Sequence, residues 1–100
     1  MGNLEIPEPI YFEWDEGNQT KSLEKHRITR SETEQAFFNP HLVSFDEKHS
    51  NGEKRFNLLG ISDTGKILFI VFTIRKKKVR VISARDLNKK EKHLYHEKKS

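Results

Sequence analysis

The chain predicts a single α+β domain, and three observations carry that reading. Its signals run strand, two helices, several strands, helix; the later strands are joined by short polar connections; and only 33% of its 100 residues are hydrophobic, which permits one modest core. Connections such as "DTG" and "RKK" favour antiparallel hairpins over crossovers. The expected sheet is an antiparallel meander of three to four strands that follows the first strand and its helices.

Residues 1–9 read as an extended lead-in, because Pro7 and Pro9 fix φ and supply no ladder donor. Residues 10–100 then form the domain. "IYFEW" sets Ile10, Phe12 and Trp14 against Tyr11 and Glu13, the alternation of a half-buried strand. Asp15 is placed to cap a weak helix through "EGNQTKSLEKH", where Gly17 sits early and Leu23 is the main apolar residue. A second helix is better marked. Thr29 and Glu32 have capping-box spacing, Ala36, Phe37 and Phe38 form an apolar end, and "NP" stops it.

Four strands follow in "LVSFDE", "KRFNLLGIS", "KILFIVFTI" and "KVRVISAR". The third of these is apolar at both parities, which predicts a central strand covered on both faces or on one face plus a curled edge. In the fourth, alternation puts Val79, Val81 and Ser83 on one face and Arg80, Ile82 and Ala84 on the other. Asn88 and Glu91 then cap a terminal helix that docks through Leu94 and Tyr95.

Charge is more informative than hydrophobicity. The net charge is +4, yet residues 1–74 balance to −4 and residues 75–100 to +8. This asymmetry points to a polyanion or an acidic partner at the C-terminal third. There are no cysteines, so no disulfide or thiolate-zinc site is expected. The longest apolar run, Ile67 to Phe72, falls far short of the roughly 20 residues that span a bilayer, and a cytoplasmic protein is the expectation.

His26, His41, His49, His93 and His96 are scattered, and no nucleotide-cofactor motif is present, so neither metal nor cofactor is expected. What remains is a set of cations and imidazoles at element ends: Lys25, His26, His49, Arg55, Arg75, Arg80 and Arg85. RNA cleavage through the substrate's own 2′-hydroxyl needs a base, an acid and fixed positive charge around the phosphorane. Arginine suits the last role, being permanently charged and bidentate toward phosphate. Each group also has a structural use. Arg55 pairs with Glu47 or Glu53, Arg80 guards a strand edge, Arg85 pairs with Asp86 or caps a neighbouring helix, and Lys25 and His26 offset a helix dipole. A non-catalytic module binding RNA or protein would draw on the same basic segment.

The ordered set of motifs resembles the BrnT family (DUF497), toxins of type II toxin–antitoxin pairs. Its residues are Trp14 and Asp15, then Lys25 and His26; next come Asp46, Glu47, His49, Ser50, Glu53 and Arg55; Gly60 follows, and Ile82, Ser83, Ala84 and Arg85 close the pattern. Asn18, Ser22 and Arg27 stand where the family often has Lys, Asn and Gly. The resemblance implies a RelE-like fold, metal-independent endoribonuclease activity that arrests growth, and a cognate BrnA antitoxin. That antitoxin would form a hetero-oligomer with the toxin and carry the DNA contacts, so DNA is met only indirectly. On this reading the catalytic set is Lys25, His26, His49, Arg55, Arg80 and Arg85. Arg80 and Arg85 hold phosphate and transition-state charge, Arg55 anchors substrate, His26 or His49 moves protons, and Lys25 assists. Arg75, Lys76, Lys77, Lys78, Lys89 and Lys90 attract RNA.

Overall fold

The computed structural model describes residues 6, 8–15, 17–18, 27–48 and 52–99. Its elements are β1 (Phe12–Glu13), α1 (Arg30–Phe38), β2 (His41–Asp46), β3 (Arg55–Ile61), β4 (Ile67–Arg75), β5 (Lys78–Asp86) and α2 (Lys89–Lys99). Together they make a mixed α+β fold around one five-stranded sheet of order β1-β5-β4-β3-β2. Strands β2 to β5 form the expected antiparallel meander. The first strand joins the same sheet, parallel to β5, a pairing that local sequence signals do not encode. Of the weak helix after Asp15, only Gly17 and Asn18 lie among the described residues, and both are helical.

Both well-marked caps form. Thr29 and Glu32 satisfy each other's backbone donors at the start of α1. Asn88 and Glu91 do the same for α2. Arg27 adopts φ 54, the left-handed region that glycine enters without steric cost, at the position where the family pattern carries glycine.

Helix α1 covers one face of the sheet. Ala36 and Phe37 pack there with Leu58, Ile70, Phe72, Val79, Val81 and Ala84, and Ile6, Ile10 and Trp14 close the edge. Phe12, Phe37, Phe72, Phe56 and Phe45 form a chain of ring contacts 5.1–5.7 Å between centroids. Gly60 lets α1 come close: a Cβ there would stand 2.8 Å from both the Ala36 carbonyl oxygen and Leu58 Cδ2.

Among the described residues, the other face is covered at one end alone. There Tyr95 of α2 seats on Ile67 and Leu87, flanked by Leu42, Leu59, Ile61 and Phe69. Leu94, expected to dock beside Tyr95, stays 47% exposed. Consecutive helical residues point about 100° apart, so one of the pair turns outward. Strand β4 is central as expected, and among the described residues the second cover reaches part of its length.

The simple alternation on β5 fails. Phe72 pairs with Val81 and Val71 with Ser83, so Ile82 is an extra residue, a β-bulge that shifts parity by one. Ala84 therefore shares the buried face with Val79 and Val81, each about 1% exposed. Ser83 turns to the opposite face, where it lines a cleft. Without the bulge, Arg85 would point into the core.

Candidate active site

On the face away from α1, strand register aligns side chains in rows. One row runs Leu42, Leu59, Phe69, Arg85, and the next runs Ser44, Asn57, Val71, Ser83. Beyond them Asp46 lies opposite Arg55, and Thr73 opposite Arg80. The middle row is short while its neighbours carry long side chains, so the surface dips between them. The result is an open cleft of about 350 Å³ lined by Asp46, Arg55, Asn57, Phe69, Val71, Ile82 and Ser83. Phe69, Val71 and Ile82 give it apolar surface, and Asp46, Arg55, Asn57 and Ser83 give it polar groups. Asn57 Oδ1 is buried there with no hydrogen-bond partner among the described residues. Leaving such an oxygen unpaired costs roughly 1–3 kcal/mol.

The cations around the cleft are held by carboxylates. Arg80, with 16% of its side chain exposed, donates to both oxygens of Asp15 at 2.7 and 3.1 Å and to Glu13 at 3.4 Å. Asp15 also accepts from the Gly17 amide at 2.8 Å, so the turn after β1 is fixed to the arginine. Asn18 reinforces this turn, donating to the carbonyls of Glu13 and Val81. Arg75 grips Glu53 through Nε at 2.6 Å and Nη2 at 3.1 Å. Arg85 grips Glu91 with two 2.8 Å bonds and lies over the Phe69 ring, 4.7 Å from its centroid.

These pairs set the electrostatics. The Arg80 guanidinium draws the Asp15 carboxyl below its ordinary value, chiefly by direct hydrogen bonding. Arg75 does the same to Glu53 through its hydrogen bonds, and the charges of Arg55 and Arg80 add to the effect. Glu91 is pulled to about 2, first by Arg85 and then by the Asn88 amide. A guanidinium has five N–H donors and a bidentate carboxylate engages two, leaving others for a phosphate. The carboxylates thus fix the arginines in place without exhausting them.

The residues expected from sequence divide into groups. Arg55 lines the cleft, with Arg80 in the adjoining strand pair and Arg85 on the far bank. Arg55, expected to meet Glu47 or Glu53, is set by register opposite Asp46, and Glu53 takes Arg75 instead. The edge-guard use of Arg80 falls away, because β1 occupies the outer side of β5. Lys76 and Lys77 form the two-residue tip of the β4–β5 hairpin and Lys78 opens β5; all three are exposed. Lys89 and Lys90 are exposed in the first turn of α2. Lys25, His26 and His49 lie outside the described residues. Sequence reasoning missed Asp46, Asn57, Phe69 and Ser83 as cleft residues. Asn57 left a trace, since it shares the parity of Arg55 between the apolar Phe56 and Leu58. Ser83 stood in the family pattern, but strand alternation set it on the face of Val79 and Val81, and only the bulge turns it outward.

Fold and site together define a small mixed α+β protein with an arginine-flanked cleft on its open sheet face. Residues 14–91 match the family model described as the ribonuclease toxin, BrnT, of type II toxin-antitoxin systems, and the chain belongs to that family. The match runs from Trp14, beside the Asp15 partner of Arg80, to Glu91, the partner of Arg85. Membership implies an antitoxin as partner. Comparison with curated proteins gives no match. No helix among the described residues is long and apolar enough to cross a membrane.

Proposed function

We propose that this chain is a RelE-like endoribonuclease toxin of the cytoplasm that cleaves RNA without a metal ion, on the open face of its sheet, until a BrnA-like antitoxin neutralises it. The observation that carries the reading is an open cleft lined by Arg55 and flanked by the carboxylate-held Arg80 and Arg85, inside a segment that matches a ribonuclease toxin family. In this mechanism His26 or His49 takes the proton of the 2′-hydroxyl, the resulting oxyanion attacks phosphorus, and the bond from phosphorus to the 5′-oxygen breaks. A second proton donor protonates the leaving oxygen, giving a 2′,3′-cyclic phosphate and a 5′-hydroxyl. An imidazole suits either step because its ordinary pKa lies near 6.5. Arg80 holds the charge that grows on the phosphorane, Arg55 beside it anchors a neighbouring phosphate, Arg85 on the far bank holds a phosphate further along the strand, and Lys25 adds positive potential. Arg75 and the exposed lysines Lys76, Lys77, Lys78, Lys89 and Lys90 draw RNA toward the cleft.

Incubating the purified full chain with single-stranded RNA in EDTA tests this directly. Cleavage is expected to persist in the chelator and to fall at least a hundredfold in Arg55→Ala and in the Arg80→Ala/Arg85→Ala double variant. Circular dichroism reports whether the double variant, which loses two ion pairs, keeps its fold. Cleavage that stops in EDTA and returns with a divalent cation would remove the metal-independent mechanism. RNA binding with no cleavage at all would support the non-catalytic module instead.

A further inference from the structure

We infer that the outer edge of β2 is the docking site of the antitoxin, which adds to the sheet an extended strand of alternating apolar and acidic residues. The inference rests on the reading that an antitoxin neutralises this chain, and adds where it binds and in what conformation. The two edges of the sheet differ in kind. At one, β1 is two residues long and closely follows Pro9, so it offers little backbone to another chain. At the other, β2 pairs with β3 without a register break from His41 to Asp46, and among the described residues no strand lies on its outer side. Edge strands are commonly guarded by lysine, proline or a bulge, and His41–Asp46 holds none of these. Phe45 stays 41% exposed on this rim, with Phe56 on its inner side.

The two faces of β2 fix the chemistry of the added strand. Val43 and Phe45 lie on the α1 side, where Val43 packs on the main core and Phe45 on Phe56, so apolar residues opposite them extend that core. Leu42 lies on the other side, packed with Tyr95 of α2. Helix α2 leaves the end of β5 and reaches the head of β2, where Tyr95 Oη donates to the Pro40 carbonyl at 3.3 Å. It carries five lysines against two glutamates, and one of those glutamates is taken by Arg85, so the flank beside this edge is basic. Acidic residues on the α2 side of the added strand complement it. A second copy of the chain fits less well, since it brings a further net charge of +4 to a basic flank. In strand addition of this kind, backbone hydrogen bonds supply affinity and alternate side chains select the partner. The added strand lies about 4.8 Å beyond β2, so the antitoxin anchors beside the cleft that Asp46 helps to line.

Amide hydrogen exchange, measured on the full chain alone and in complex with its cognate antitoxin, tests the site. Successive residues of a strand direct their N–H groups to opposite sides, so alternate amides of His41–Asp46 are expected to exchange about tenfold or more slowly in the complex. The antitoxin segment protected with them is expected to alternate apolar and acidic residues. Phe45→Lys, which sets a guard on the edge, is expected to weaken the complex about tenfold or more. RNA cleavage by the free variant, and exchange in its β4, are expected to match the wild type. Raising salt from about 0.1 to 1 M, which shortens the screening length from about 10 to 3 Å, is expected to weaken the complex as well. A complex that forms with β2 exchange unchanged would overturn the inference, as would protection of β2 by a segment without acidic residues. Sedimentation of the free chain as a dimer with β2 already protected would overturn it too, by assigning the edge to a second copy. Failure to form any complex removes the antitoxin reading and this site with it, whereas RNA cleavage by the free chain is decided separately.

Discussion

Arg85 and Glu91 show how one ion pair serves both the site and the stability of the fold. Glu91 closes the capping box of α2 and clamps the guanidinium that lies over Phe69. Its carboxyl sits at about 2 against an ordinary 4.5. A carboxyl lowered by folding stabilises the native state fully above its ordinary value, and that contribution fades as pH falls from about 4.5 toward 2. With its side chain 30% exposed, solvent screening limits the pair to about 1 kcal/mol. Glu91→Gln should therefore lower the unfolding free energy by about that amount at pH 7, with the gap from wild type closing by pH 2, in urea titrations across the acid range. Gly60 is a steric case. A methyl group there would press on the α1 backbone, so Gly60→Ala is expected to cost roughly 1–3 kcal/mol in the same measurement.

The β4–β5 hairpin sets local conformation against charge. Arg75 pairs with Lys78, leaving Lys76 and Lys77 as a two-residue turn with φ 49 and 65, the type I′ geometry for which Asn-Gly is the favoured pair. Holding a lysine left-handed costs roughly 1–2 kcal/mol relative to glycine. Lysines retained here despite that cost fit a role in attracting RNA. Lys76→Asn with Lys77→Gly should raise the unfolding free energy by about 1–2 kcal/mol. It should also weaken RNA binding and reduce the slope of log affinity against log salt by about 1.4, at roughly 0.7 for each phosphate no longer neutralised. A variant both more stable and weaker-binding would separate the two roles. An unchanged salt slope would exclude the tip from the RNA interface.

For the whole molecule, local signals were enough to mark the meander, both capping boxes and the central place of β4, because each depends on residues within a few positions of one another. The family pattern was legible for a related reason: Trp14, Arg55, Gly60 and the Ile82–Arg85 run keep their order along the chain. The +8 balance of residues 75–100 marked the basic end, but not how it is held. Ion pairs join residues as far apart as Asp15 and Arg80, or Glu53 and Arg75, and no local period reports an interaction between distant segments. The parallel pairing of β1 and the one-residue bulge at Ile82 are likewise settled by packing against the rest of the sheet. The sequence by itself thus determined the described strands of the meander, the two capped helices, the family and the identity of the cations. Tertiary structure alone decided which carboxylate holds each arginine and that Asn57 and Ser83 share one cleft, because those outcomes depend on the register between strands and not on the order of residues within them.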